Sequence, residues 1–358
     1  MAERLKEQLL ETDKVVDLVV GPDAYRSLPA LVEEAESGQK GVNVQLSREE
    51  TYADISPVRM DKNGVTSFIS IMRGCNNMCA YCVVPYVRGA ERSREPDTII
   101  REARDLFERG YREITLLGQN VNSYLWTSGE EKTDFPDLLS KIAAISPLLR
   151  IRFSTSHPKD ISDRLLDTIA ENENICRHIH LPAQSGSTRI LKLMNRDYTR
   201  EWYMERIEAI RKRIPGCSVS TDMIAGFCTE TEEDHALSLS LMEWVGYDFA
   251  FMFKYSERPG TKAERKYDDD IPEDVKTRRL NEIIALQNRL SLKSKKNDIG
   301  KVHRVLVEGY SKRSTEQLYG RNSQNKVVVF PAANLKPGDY ADVLVEKSTS
   351  GTLIGKVI

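Results

Sequence analysis

At 358 residues, with 52 Lys+Arg against 54 Asp+Glu and a formal net charge of −2, the chain is long enough for two or three domains with sizeable cores. The balanced charge excludes a global polyanion-binding surface, so any nucleic-acid contact must be local. Six cysteines do not make a disulfide framework at this length and suit a reducing compartment. No apolar run approaches the roughly 20 residues of a membrane helix and the charged N-terminus has no signal-peptide pattern, so the sequence reads as cytoplasmic, without membrane contact.

In chain order, Met1 to Glu11 carries Leu5, Leu9 and Leu10 among charges, an amphipathic helix pattern. Val15 to Val20 reads as a short buried strand. Gly21-Pro22-Asp23 is a turn, and Ala24 to Glu36 a helix ended near Gly38. This piece is too small to bury its own sheet and reads as the closing part of a parallel α/β domain. Val42 to Arg59 is polar, includes Ser56-Pro57, and reads as a connector.

From Val65 the pattern turns regular. Strand-like runs recur at Phe68–Met72, Glu113–Leu117, Arg150–Ser154, Cys176–Leu181, Ser218–Ile224 and Phe249–Phe253. Helical patterns separate them at Thr98–Arg109, Phe135–Ile145, Ile161–Ala170, Arg200–Arg213 and Glu230–Val245. Such alternation predicts a parallel α/β sheet or barrel, which carries its function at the C-terminal ends of its strands.

The loop after the first strand, Arg73-Gly74-Cys75-Asn76-Asn77-Met78-Cys79-Ala80-Tyr81-Cys82, spaces three cysteines as C-x3-C-x2-C. Short loops of this kind hold iron–sulfur clusters. Three thiolates on a four-iron cubane leave one iron for a small chelating molecule. Structural zinc wants four ligands, usually in two paired halves, and Cys176, Cys217 and Cys228 stand singly. A disulfide reading fails on spacing and odd number, and buried structural thiols are the remaining alternative.

The later strand ends are polar: Gly118-Gln119-Asn120-Val121-Asn122-Ser123-Tyr124, Ser154-Thr155-Ser156-His157-Pro158, His180 to Ser187, Ser220 to Gly226 and Lys254 to Thr261. Their amides, hydroxyls and carboxylate suit a polar ligand, and singly they suit turns and caps equally well. His157 and His180 are candidates for proton transfer or for structural hydrogen bonds. Cys228 reads as a small buried group rather than a reactive thiol.

Asp268-Asp269-Asp270 ends this pattern. Pro272 to Lys295 reads as a long amphipathic helix with Leu280, Ile283, Ile284, Leu286, Leu290 and Leu292 as its apolar set and its bases as a solvated face. Lys301 to Ile358 alternates in short runs broken by Gly, Pro, Asn and Ser, which predicts a small all-β barrel. Its bases, including Lys312, Arg313, Arg321 and Lys326, outnumber its acids, which suits phosphate contacts.

The cysteine loop with Tyr81 before Cys82 resembles the signature of the radical S-adenosylmethionine superfamily. The longer string, through Val83-Val84-Pro85-Tyr86-Val87-Arg88-Gly89 to Arg92-Ser93-Arg94, resembles the radical methylthiotransferases. The string Gly320-Arg321-Asn322-Ser323-Gln324-Asn325-Lys326-Val327 resembles a TRAM domain. The resemblance implies an α/β fold: a partial (β/α)6 barrel over residues 61–298, followed by an OB-like TRAM barrel over 299–358 and preceded by a remnant of an α/β domain with connector over 1–60.

It further implies a [4Fe-4S] cluster on Cys75, Cys79 and Cys82, its open iron chelated by S-adenosyl-L-methionine. Gln119, Gln184 and Asp222 are the implied contacts to that molecule, and cleavage to a 5′-deoxyadenosyl radical is the implied activity. In the family, an N-terminal domain holds a second, auxiliary [4Fe-4S] cluster on three further cysteines. The chain begins, by this resemblance, one residue after the last of them, so it is expected to cleave the cofactor without itself ligating that cluster.

Gln119-Asn120-Val121-Asn122 with Thr155-Ser156-His157-Pro158 is similar to the branch that methylthiolates C2 of N6-isopentenyladenosine beside the tRNA anticodon. The alternatives are the ribosomal-protein and threonylcarbamoyl-adenosine branches, or a non-catalytic, cluster-stabilised RNA-binding module. The implied partners are a tRNA anticodon stem-loop and a low-potential donor such as flavodoxin or ferredoxin, and the implied state is a monomer. One departure stands out. Relatives usually have Gly-Phe-Pro-Gly-Glu-Thr where this chain has Gly226-Phe227-Cys228-Thr229-Glu230-Thr231, which changes the backbone options beside the cofactor.

Overall fold

The computed structural model describes residues 2–5, 7–12, 15–55, 64–312 and 314–358. Ser56, Pro57 and Arg313 lie outside the described residues. The N-terminal segment comprises α1 (Ala2–Leu5), α2 (Glu7–Thr12), β1 (Leu18–Val20), α3 (Leu28–Glu36) and β2 (Gly41–Asn43). β1 and β2 pair in parallel, Leu18 opposite Gly41. β2 falls in the stretch expected to be mainly connector, because a single apolar residue between Gly41 and Asn43 leaves no alternation to see. Two short strands are not stable alone. This unit is pinned by the buried carboxylate of Asp23, which accepts from Arg92 Nη1 at 2.8 Å, and by the Arg73 guanidinium 4.4 Å from the Tyr52 ring centroid.

The central domain follows as β3 (Thr66–Ser70), β4 (Met72–Arg73), α4 (Val84–Arg88), β5 (Arg92–Ser93), α5 (Pro96–Glu108), β6 (Glu113–Leu117), β7 (Leu125–Ser128), β8 (Glu131–Asp134), α6 (Phe135–Ala143) and β9 (Arg150–Phe153). It continues as α7 (Asp163–Glu171), β10 (His178–His180), α8 (Thr188–Leu193), α9 (Arg200–Arg213), β11 (Ser218–Ala225), α10 (Glu232–Val245), β12 (Phe249–Lys254), α11 (Lys262–Lys266) and α12 (Glu273–Lys296). Strands β3-β6-β9 and β10-β11-β12 form two parallel ladders. An Ile151↔Ile175 bridge joins them. The six parallel strands thus lie in chain order as a partial (β/α)6 barrel, and connecting helices cover the outside as parallel sheets require.

Strand alternation sends Ile69, Ile114, Leu116 and Ile151 into the core, where α5 adds Ile99, Ala103 and Leu106 at helical spacing. α12 brings Ile283 and Leu286 to the same core. Its bases do not all form the expected solvated face. Lys276 and Arg279 are buried; Lys276 Nζ lies 2.5 Å from Asp269, and Arg279 Nη1 lies 3.0 Å from Glu230. Both cations sit on the side of α12 that packs toward the loop after β11, where carboxylates meet them.

Strands β13 (Val302–Ser311), β14 (Ser314–Arg321), β15 (Val327–Pro331), β16 (Tyr340–Ser348) and β17 (Leu353–Val357) close into a barrel in the order β13-β14-β15-β17-β16. Alternate residues Val305, Val307, Leu318, Val328, Phe330, Val343 and Val345 fill it. Its β14–β15 turn plugs the N-terminal end of the large barrel. Arg150 Nη1 donates to Arg321 O (2.6 Å) and Arg152 Nη2 to Asn322 O (2.7 Å). Arg177 N donates to Ser323 Oγ, and Ser218 Oγ to Gln324 O, each at 2.8 Å. Tyr340 lies under Arg150, 5.2 Å from guanidinium carbon to ring centroid.

Candidate active site

The cysteine loop leaves the C-terminal end of β3, and its shape is set by backbone. Gly74 takes φ 73, and a Cβ there would lie 1.9 Å from Ala90 O, so only glycine fits. Cys75 N donates to Gly89 O (3.1 Å), and Ala80 N donates to Met194 O (2.8 Å). Asn76 and Glu91 exchange backbone-to-side-chain bonds across the loop. Val84 N, at the start of α4, donates to Cys82 Sγ at 3.4 Å. All three thiols line one cavity of about 380 Å3. Burial pushes the Cys75 thiol up and the Cys82 thiol to about 11, so metal binding there displaces protons. Among the described residues no three His, Cys, Asp or Glu side chains converge to hold a single ion. A cubane takes its thiolates on separate irons and asks for no such convergence.

The same cavity is lined by Gln119, Ser156, Gln184, Arg196 and Asp222. The structure therefore brings the three sequence-predicted polar residues to the predicted cysteines, from loops far apart in the chain. The amide-rich loop after β6 divides its labour. Asn120 and Asn122 are structural: each Oδ1 accepts from His157 N at 2.9 Å. Gln119 Oε1 is buried without a partner among the described residues, as is Ser156 Oγ. Buried polar atoms are normally satisfied, so these two orphans mark where a ligand is expected. Thr155 and Gln184 take φ 71 and 67, conformations rare for side-chain-bearing residues and concentrated at functional sites. Gln184 is held there by Gln184 N to Asp222 O (2.8 Å) and Ile224 N to Gln184 O (2.9 Å), which set its carboxamide beside Asp222.

Arg196 is the residue the sequence did not point to. It is buried, its Nη1 lies 3.2 Å from Cys79 Sγ, and its other nitrogens reach Pro182 O and Tyr198 Oη. Among the described ion pairs no carboxylate meets it. A buried cation without a counter-charge is costly, and the anions at hand are the thiolates of the loop. These orphaned acceptors, the unpaired guanidinium and the thiols fit a cluster with a polar chelating cofactor.

His157 is buried and held near pKa 2, chiefly by burial and then by Arg196. Its Nδ1 accepts from Lys159 N at 3.3 Å, which is the structural role. His180 lies 3.3 Å from Asp222 and 2.9 Å from Ser220 Oγ. Cys228 is buried, packed with Phe227 and Tyr255. Beside it Thr229 adopts φ 62, a left-handed conformation that a glycine there would take freely. Asp270 accepts from Thr229 N (2.7 Å) and Arg189 donates to Thr229 O (2.6 Å), holding the strained turn.

Of the bases singled out on the C-terminal barrel, Lys326 is corrected: its ammonium is buried against Asp298 (2.8 Å) and Asp248 (3.1 Å), so it docks the barrel and is not offered to a phosphate. Arg321 is partly exposed and lies 3.3 Å from Glu308. Lys312 is exposed on the β13–β14 turn.

Residues 69–241 match the Radical SAM superfamily and residues 296–358 match the TRAM domain. The tRNA-2-methylthio-N(6)-dimethylallyladenosine synthase of Amoebophilus asiaticus is 60% identical over 370 residues, covering 100% of this chain and 76% of that protein. The protein of the same name from Bacteroides thetaiotaomicron is 59% identical, covering 100% and 79%. Among solved structures, coproporphyrinogen III oxidase from Escherichia coli aligns at TM-score 0.49 and 15% identity over 73% of this chain and 67% of that one. The two domain matches and these relatives define a radical SAM enzyme with a C-terminal TRAM domain. The chain belongs to the tRNA-2-methylthio-N(6)-dimethylallyladenosine synthase family.

Proposed function

We propose that this chain acts as a tRNA methylthiotransferase at C2 of N6-dimethylallyladenosine beside the anticodon, through a radical made at the cysteine loop. The observation that carries the reading is the single cavity shared by three loop thiols, two orphaned acceptors and an unpaired arginine. Cys75, Cys79 and Cys82 hold the [4Fe-4S] cluster. When bound, the reduced cluster supplies the electron for reductive cleavage of S-adenosylmethionine. Gln119 Oε1 offers an acceptor to the cofactor's ammonium. Asp222 and Gln184 offer a carboxylate and a carboxamide to ribose and adenine, and Arg196 balances the thiolate charge.

Residues 61–298 act as the radical domain and 299–358 as the TRAM domain, on which Lys312 and the exposed part of Arg321 meet phosphates. A flavodoxin- or ferredoxin-type donor, a monomeric state and a cytoplasmic site of action complete the reading. The methylthio sulfur, which the family resemblance assigns to an auxiliary cluster, is assigned to none of the described residues. The test is incubation of the reconstituted, reduced protein with S-adenosylmethionine and prenylated anticodon stem-loop RNA, with nucleosides analysed by mass spectrometry. Hydrogen loss from C2, read as exchange of a C2 deuterium label, is expected. Full retention of the label with cofactor cleavage intact would contradict the assignment of this RNA.

A further inference from the structure

We infer that the outer face of the cysteine loop, where Met78 and Tyr86 stand among bases of α4, α8 and α11, is the docking surface for the electron donor, and that its occupant is an acidic, flavin-carrying protein of the flavodoxin type. This rests on the radical reading above, which needs an electron from outside the chain. Electron transfer falls off steeply with distance, so a donor has to meet the protein where little of it covers the thiols. The inner side of the loop is taken. There Asn77, Tyr81 and Val84 join the three cysteines in lining the cofactor cavity.

The outer side is open. Met78, next to Cys79, is 46% exposed, and Tyr86, beyond Cys82 on α4, is 39% exposed. Neither lines the cofactor cavity. Contacts tie the two into one face. Asn195 Nδ2 donates to Met78 O at 2.9 Å, and Lys262 Nζ donates to Asn195 Oδ1 at 2.8 Å. Ala263 N donates to Ala80 O at 2.7 Å, which fastens α11 to the loop. Arg265 stands one helical turn on from Lys262. Its guanidinium lies 5.9 Å from the Tyr86 ring centroid, and its Nη2 donates to Tyr86 Oη at 3.3 Å.

The rim of this face is basic. Arg88 closes α4, Lys192 O accepts from Asn195 N, and Lys262, Arg265 and Lys266 lie on α11, where Glu264 is the one acid. Among the described ion pairs none includes any of these bases. Elsewhere on the outer helices the exposed Arg164 and Arg278, and the partly exposed Arg213, each meet a carboxylate. A chain with a net charge of −2 thus keeps a local positive patch over its cysteine loop, and such a patch steers an acidic partner. Methionine, tyrosine and arginine are favoured at interface centres, and redox encounters need only a small area.

RNA is acidic too, but the apolar centre offers nothing to a phosphate chain, and the TRAM barrel docks at the opposite end of the large barrel. A flavin presents the apolar dimethylbenzene edge of its ring, which suits a thioether and a phenol ring. In the step itself one electron leaves the flavin hydroquinone anion, which becomes the neutral semiquinone with no proton transferred. The oxidised cluster on the three thiolates goes from 2+ to 1+.

The experiment titrates a recombinant flavodoxin against the anaerobically reconstituted chain by biolayer interferometry at low and at physiological salt. It also measures 5′-deoxyadenosine with electrons from reduced flavodoxin or from dithionite. Wild type is compared with the Lys192→Glu/Lys266→Glu double variant, with Tyr86→Ala, and with Lys212→Glu on the exposed side of α9. The double variant should weaken flavodoxin binding about 10-fold or more and flatten its salt dependence. Its product with dithionite should match wild type, which also shows that it folds. Tyr86→Ala should weaken the complex without changing its salt dependence, and Lys212→Glu should change neither. Equal flavodoxin affinity in wild type and double variant, an equal loss in Lys212→Glu, or a loss of anticodon stem-loop RNA binding in place of flavodoxin binding would overturn this face as the donor site. A wild type that takes electrons from a ferredoxin and none from flavodoxin would overturn the flavin occupant. Product absent even with dithionite would contradict the radical reading instead, and the binding arm would still decide the face.

Discussion

The two ends of the large barrel treat buried charge in opposite ways. At the N-terminal end Arg150, Arg152 and Lys326 are buried or nearly so, and each meets a carboxylate or a TRAM carbonyl. At the C-terminal end, among the described residues, Arg196 meets no carboxylate, and Gln119 Oε1 and Ser156 Oγ have no partner. At the first end the buried cations are met by oxygens of the protein itself. The second is complete only with a ligand. The difference teaches how to tell a docking face from an active site: not by how much polar surface is buried, but by whether the protein itself satisfies it.

The same kind of substitution at the two ends should therefore act oppositely. Lys326→Met removes the ammonium that Asp298 and Asp248 share and should lower stability by about 1–3 kcal/mol, with His303 still beside Asp298, read by chemical denaturation. Arg196→Met removes a cation that the iron-free protein does not neutralise. Iron-free stability should stay within about 1 kcal/mol of wild type, while iron retained after reconstitution falls. Equal losses at both ends would break the comparison.

Acid sharpens it next. His157, by the cofactor, and His178, held near 3 by burial, stay neutral in the fold, whereas unfolded histidine takes a proton near 6.5. Their contribution is fully present above pH 6.5 and is lost as pH falls through the range down to about 3. Each contributes about 1.4 kcal/mol per pH unit within that range. His178→Gln should flatten the acid slope by that amount in pH-dependent denaturation. Thr229→Gly should stabilise by about 1 kcal/mol, since glycine takes φ 62 without a Cβ clash. Lys312→Ala, at an exposed turn, should leave stability within about 0.5 kcal/mol and reduce the salt slope of RNA binding by about 1.

Features packed into a short stretch were legible in the sequence. The three cysteines announce themselves by spacing, and α9 runs from Arg200 to Arg213 as its periodicity predicts. The β7–β8 hairpin was not legible, because Leu125–Ser128 and Glu131–Asp134 are mostly exposed and carry little apolar alternation. Arg196 escaped notice because it lies 117 residues from Cys79 in the chain, joined to it only by the closure of the barrel. Lys326 was misjudged for a related reason. A local excess of bases reveals the sign of a surface, and only the packed structure reveals which ammonium is spent on docking.

The most direct measurement is 5′-deoxyadenosine production by the anaerobically reconstituted, reduced protein with S-adenosylmethionine, followed by chromatography beside iron content. About four irons per chain, with product that disappears in Cys75→Ala, is the expected result. Product that persists undiminished in Cys75→Ala, or a cysteine loop that takes up zinc and no iron, would contradict the assignment of the C-terminal end as the radical site.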